Sequence, residues 1–208
     1  MTKRIITGGI LGGVAMFIWG AISHMVLGLQ ESGIKQFSNE PSVLAAMQAQ
    51  IKEPGFYFFP GMDESRNMTS EQKAAAQKKW AEKYEAGPRG ILVYHPDGVK
   101  AMAPKFFVLQ LGATIAASLI AAFVLAQCHG LRSYAGRVGL VVLMGMLPFF
   151  MVNFPYWNWY GFPGNFTLME LADKLLLFVV AGLVLAAIVK PAVPTTVPAV
   201  VEPAVVQT

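Results

Sequence analysis

Charge is what this sequence has least of. Only 13% of its 208 residues are Asp, Glu, Lys or Arg, about half of the roughly 25% carried by soluble domains. A chain so poor in charge is neither a disordered segment nor a coiled coil, and it lacks the surface of a typical soluble enzyme. Cysteine is nearly missing too. Cys128 is the only one, which excludes a disulfide framework within the monomer, a CxxC redox pair and a CxxCH haem attachment. There is no G-x-S-x-G, no Walker A loop, no HExxH and no paired zinc motif, so no catalytic signature supports an enzyme.

What is present is apolar. Hydrophobic residues make up 55% of the chain, and the mean hydropathy is +0.50. No formal charge falls between Arg4 and Glu31, between Lys105 and Arg132, or between Arg137 and Glu170. A bilayer core about 30 Å thick is crossed by about 20 helical residues at 1.5 Å each. The runs therefore predict four membrane spans: about 5–28, about 105–128, Val138 to about Asn153, and a fourth that starts near Thr167 and closes at Lys190-Pro191. The first run exceeds the roughly 7–15 apolar residues of a signal peptide and lacks an A-x-A site, so it reads as a retained anchor. The expected fold class is membrane all-α: a four-transmembrane-helix bundle with a small α+β periplasmic insertion between helices 1 and 2. Its parts are helix 1 (1–28), the insertion (29–104), helices 2–4 (105–190) and a disordered cytoplasmic tail (191–208), where proline recurs among Val, Ala and Thr. No internal repeat supports an inverted-repeat transporter.

Basic residues near the spans set the expected orientation. Lys3, Arg4, Arg132, Arg137 and Lys190 share one side of an alternating chain, and the 153–166 connection has no Lys or Arg. The positive-inside rule then places both termini and the 129–137 loop in the cytoplasm of a bacterial inner membrane. The Lys and Arg of the insertion do not oppose this, because long segments translocate largely regardless of charge. The net charge of +4 thus reports topology, and no nucleic-acid partner is expected.

In the insertion, Pro41 to Lys52 reads as a short helix and Phe56–Phe59, between Gly55 and Pro60, as a strand. Thr69 with Gln72 forms a capping-box pattern opening a helix that ends at Gly87-Pro88. Residues 91–94, 95–98 and 99–102 read as strand, turn and strand of a hairpin. So small a core is expected to lean on the membrane surface or on a partner.

Three groups are candidate functional features. Gly8, Gly9, Gly12 and Gly13 make two overlapping GxxxG patterns, and Gly112 with Ala116 repeats the small-xxx-small spacing; such residues let helix backbones approach closely. His24 lies about 19 residues into helix 1, near the level of Glu170, Asp173 and Lys174 at the start of the fourth span. These four form either an interfacial cap and hydrogen-bond network or a site for a cation, a proton or a quinone head. The loop from Phe154 to Pro163, with Tyr156, Trp157, Trp159 and Tyr160, reads as an interfacial aromatic belt or as a docking surface for a membrane subunit, lipid or pigment. No metal site is expected.

Trp19-Gly20 with Ser23-His24, the run from Glu53 to Gly61, and Gly87-Pro88 leading to Tyr94-His95-Pro96-Asp97-Gly98 give the first half of the chain a resemblance to uncharacterised bacterial four-span inner-membrane proteins. The resemblance implies a bacterial inner membrane and carries over no catalytic residue. The leading functional expectation is a non-enzymatic accessory or scaffold subunit of a larger membrane complex, in contact with the lipid bilayer and with other subunits or further copies of itself. The alternative is a ligand-, ion- or proton-handling protein using the outer-leaflet His/carboxylate cluster, or a haem- or quinone-binding redox component.

Overall fold

The computed structural model describes residues 2–29, 31–62 and 67–190; the tail expected over 191–208 lies outside the described residues. Each uncharged run is helical, as a single segment must be to satisfy its own backbone polar groups in lipid. Among the described residues four helices are long and apolar enough to cross a membrane: Thr2–Val26, Pro104–Gln127, Tyr134–Tyr160 and Gly164–Ile188. The elements in chain order are α1 (Thr2–Ala21), a π-helical turn (Ile22–Val26), a 3-10 turn (Glu31–Gly33), α2 (Glu40–Gln50), β1 (Gly55–Phe59), α3 (Ser70–Ala86), β2 (Gly90–Tyr94), α4 (Pro104–Gln127), α5 (Tyr134–Pro148), a second π-helical turn (Phe149–Asn153), α6 (Phe154–Tyr160) and α7 (Gly164–Ile188).

The contacts divide the chain into two compact units. Of the described residues, one draws on 2–22, 108–146 and 175–190. Within it α1 uses its overlapping glycine pairs for two neighbours. A Cβ on Gly9 or Gly13 would run into Leu119 or the Ile115 backbone of α4, whereas one on Gly8 would lie 2.8 Å from Val189 Cγ2, just past α7. Gly12 faces both Ser118 and Leu185. The second small-residue pair behaves differently. Gly112 has open space around it, and both it and Ala116 are exposed. The buried stripe of α4 is instead Thr114, Ser118, Ala121, Ala122 and Leu125, spaced at helical period. The Gly112/Ala116 spacing was right for a helix face, but other small residues occupy the side that packs.

α5 and α7 interlock in the same unit. Phe178 of α7 fills the space a Cβ on Gly145 would need, and Val138 of α5 lies 3.2 Å from the position a Cβ on Gly182 would take. Arg137 is buried, and its guanidinium donates to the carbonyl of Ala186, while Tyr134 Oη donates to that of Leu183 at 2.9 Å. Ala186 lies in the last turn of α7, where carbonyls have no helical partner and a cation is favoured by the dipole. Arg137, counted in the sequence among the basic residues on one side of the spans, is thus an anchor for the end of a helix.

The other unit draws on Ser23–Phe107 and Leu147–Lys174. Helix α3 has both halves of its capping box, Gln72 N to Thr69 Oγ1 at 3.3 Å and Thr69 N to Gln72 Oε1 at 2.9 Å, and it stops at Gly87, whose φ of 70° suits a residue without Cβ. β1 and β2 pair antiparallel, with Tyr57 opposite Leu92 and Phe58 opposite Ile91. This corrects the expected 91–102 hairpin. β2 finds its partner in the strand before α3, because Phe56–Phe59 offers four β-favouring aromatic residues, whereas 99–102 offers only Val99 of that kind.

Candidate functional site

Helix α7 carries Glu170, Asp173 and Lys174 at i, i+3 and i+4, so all three project from one side. Glu170 and Asp173 are buried, Asp173 to 2% exposure. Because α7 begins at Gly164, they lie six and nine residues in, about 9 and 13.5 Å along the axis at 1.5 Å per residue. That is beyond the first turn, where the helix dipole favours a carboxylate. They are acids within the body of a span-length helix.

Each acid is met by a polar residue from elsewhere in the unit. Ser23 Oγ donates to Asp173 Oδ1 at 2.5 Å, and His24 Nε2 lies 4.0 Å from Asp173 Oδ2. Asn153 Nδ2 donates to Glu170 Oε2 at 3.2 Å, and Lys174 Nζ donates to the same oxygen at 3.0 Å. His24 and Asp173, only level in the sequence reading, thus meet in space, as do Glu170 and Lys174.

Ser23 and His24 lie in the first π-helical turn, and Asn153 ends the second. A π turn holds an extra residue, so it rotates the side chains after it relative to an α-helix, and such turns are frequent at functional sites. The sequence contained a signal for Ser23, a hydroxyl beside His24 in an otherwise apolar run. The 3.6-residue period could not show that Ser23 and Asn153 point at the acids, because the period breaks where they occur.

The chemistry of the site follows from its connections. The Ser23 hydroxyl donates to the carboxylate and not to the imidazole, so Ser23, His24 and Asp173 do not form a nucleophile–base–acid relay. Among the described residues no group of three His, Cys, Asp or Glu could hold a metal ion. What remains is a carboxylate fixed by a hydroxyl next to an imidazole whose side chain is 45% exposed. His95 and His129 are exposed and make no ion pair among the described residues.

The aromatic segment also takes a different form from the loop expected for it. Phe154–Tyr160 is helix α6, which continues the third span beyond Asn153, and Gly161 ends it with φ 72°. Only part of it is free. Rings meet in sequence from Trp80 to Tyr84 (5.1 Å between centroids, tilted), Tyr84 to Phe58 (6.2 Å, stacked), Phe58 to Tyr160 (6.4 Å, edge-on), Tyr160 to Tyr156 (5.8 Å, edge-on) and Tyr156 to Phe162 (5.2 Å, stacked). Arg89 lies 4.9 Å above the Tyr84 ring and donates to its hydroxyl. The insertion thus leans on this chain's own aromatic helix, whereas Trp157 and Trp159 stay exposed at 45% and 70%.

No protein-family model matches the chain, and no curated protein or solved structure does either.

Proposed function

We propose that this is an integral protein of a bacterial inner membrane that conducts protons across the bilayer, taking them up from the outer aqueous side through His24 and the buried carboxylate of Asp173. In this reading its four helices form a bundle in the bilayer, both termini are cytoplasmic and the insertion is periplasmic. Lys3, Arg4, Arg132 and Lys190 support that orientation.

The observation that carries the reading is the asymmetry of the pair. Asp173 is held rigidly by Ser23 and sealed from solvent, while the imidazole facing its other oxygen is nearly half exposed. An exchangeable group at the surface and a fixed acceptor behind it are what proton entry requires, and ionisable residues within spans commonly mark such paths. Four spans are few for a pathway in one protomer, so the working form is an oligomer.

The test is proton flux into proteoliposomes enclosing a pH-sensitive dye. Wild-type protein should collapse an imposed pH gradient faster than empty liposomes, and Asp173→Asn and His24→Ala should remove the difference. Wild-type flux equal to that of empty liposomes, or unchanged in both variants, overturns the proposal.

A second reading, an accessory subunit of a larger complex, rests on a separate observation. Trp159 is 70% exposed on α6 and Trp157, packed against Phe154, is 45% exposed, and exposed tryptophans are frequent anchors of protein interfaces. Native mass measurement after extraction in mild detergent should then find foreign subunits in stoichiometric amount, and Trp159→Ala should release them. A bare homo-oligomer removes this reading.

A further inference from the structure

Buried acids attract metal cations, and one of the two acids on α7 already holds a cation of the chain's own. Glu170 and Asp173 lie three residues apart on the helix, so their Cβ atoms are about 5–6 Å apart. Two more oxygen-bearing side chains meet them, Ser23 at Asp173 and Asn153 at Glu170. Two carboxylates, a hydroxyl and an amide are hard oxygen ligands of the kind that suit sodium or calcium. Lys174 stands in the way. Its ammonium donates to Glu170 Oε2 at 3.0 Å, in a pair whose side chains are 27% and 9% exposed. Asn153 turns its N–H group, and not its carbonyl, to the same oxygen at 3.2 Å. These two N–H donors hold the carboxylate but cannot coordinate a metal.

We propose that Lys174 is a tethered cation that makes the acid cluster selective for protons over metal ions. The inference rests on the proton-conducting reading of the same site. A hard cation on Glu170 Oε2, at its usual distance of about 2.3–2.6 Å, would lie at most about 5.6 Å from an ammonium 3.0 Å from that oxygen. At an effective dielectric constant of about 20, two unit charges so close disfavour each other by roughly two orders of magnitude. A proton needs no shell of oxygens. It is offered by the half-exposed imidazole of His24 and bonds to one atom, Asp173 Oδ2, which lies 4.0 Å from Nε2. Repulsion from Lys174 acts on either ion, but only the metal ion also needs the ligands that Lys174 and Asn153 occupy.

Sodium binding to the full-length protein in detergent, followed by sodium NMR line broadening, tests this together with sodium uptake by proteoliposomes. The wild type should show no saturable broadening and no uptake above that of empty liposomes. Lys174→Gln should show both, with uptake at least roughly tenfold above the wild type, a modest share of the repulsion removed. Lys174→Met, which keeps most of the stem, serves where the glutamine variant does not fold. Lys174→Arg should stay as silent as the wild type. Lys174→Gln/Glu170→Gln should lose the sodium signal, because the acid that holds the ion is gone, and this separates a created site from a leaky fold. Saturable broadening in the wild type overturns the proposal whether or not the variants fold. So does a folded Lys174→Gln or Lys174→Met that neither binds nor passes sodium. Proton flux by the wild type, measured in the same liposomes, keeps the two readings apart. If it is absent while sodium binds only after Lys174 is replaced, the proton reading falls and Lys174 still excludes metal ions. If it is present while the folded variants take no sodium, the proton reading stands and the role of Lys174 falls.

Discussion

The Ser23 hydroxyl and the Asp173 carboxylate, 150 residues apart in the chain, are joined by a buried hydrogen bond of 2.5 Å. The serine lies in a π-helical turn and the acid in the body of α7. The bond therefore fixes two helices to each other and also sets which carboxylate oxygen is left to face His24.

Removing the donor alone should be costly. Ser23→Ala leaves Asp173 Oδ1 without the Ser23 hydroxyl, and a hydrogen bond to a charged group contributes about 1.5–3 kcal/mol. Thermal unfolding in detergent should show Ser23→Ala clearly less stable than wild type. Ser23→Thr, which keeps the hydroxyl, should lie between them. Equal stability of Ser23→Ala and wild type would show that the bond contributes nothing to the fold.

The glycines of α1 and α4 should separate cleanly on substitution. A Cβ on Gly13 meets the backbone of Ile115, which cannot swing aside, so Gly13→Ala forces α1 off α4. Overpacking of this kind costs about 1–3 kcal/mol. Gly112 has open space around it, so Gly112→Ala should be neutral or should stabilise by up to about 1 kcal/mol through helix propensity. The same unfolding assay ranks the two variants.

Arg137 should resist replacement by lysine. Its guanidinium reaches the Ala186 carbonyl from a buried position, and an ammonium has neither the planar fork nor the weak hydration that suits such a place. Arg137→Lys is expected to speed amide hydrogen exchange in the last turn of α7, with Arg137→Gln doing so at least as much. Tyr134→Phe, losing one neutral hydrogen bond, should cost about 0.5–1.5 kcal/mol. Unaltered exchange in all three would remove the anchoring role.

The aromatic relay can be measured as a coupling. Phe58 and Tyr160 are 6.4 Å apart in an edge-on arrangement, and such pairs contribute about 0.5–1.5 kcal/mol beyond their burial. A double-mutant cycle on Phe58→Leu and Tyr160→Leu should return a coupling in that range. The same cycle with Trp159, 70% exposed, should return none.

Sequence alone determined the four span-length helices, the capped α3 and the first strand, because each is written locally. Long uncharged runs, a Thr-x-x-Gln pattern and four consecutive aromatics act over one element at a time. It also singled out His24, Glu170, Asp173 and Lys174, since ionisable groups in or beside apolar runs stand out by composition. Only the tertiary structure decided that Ser23 and Asn153 join them, that β2 pairs with β1 instead of turning back on 99–102, and that Gly8 to Gly13 pack while Gly112 does not. Each has its own physical reason. Two π-helical turns break the period that sequence reading relies on, a strand's partner is chosen by long-range competition, and a small residue says that a neighbour can come close without saying on which side the neighbour lies.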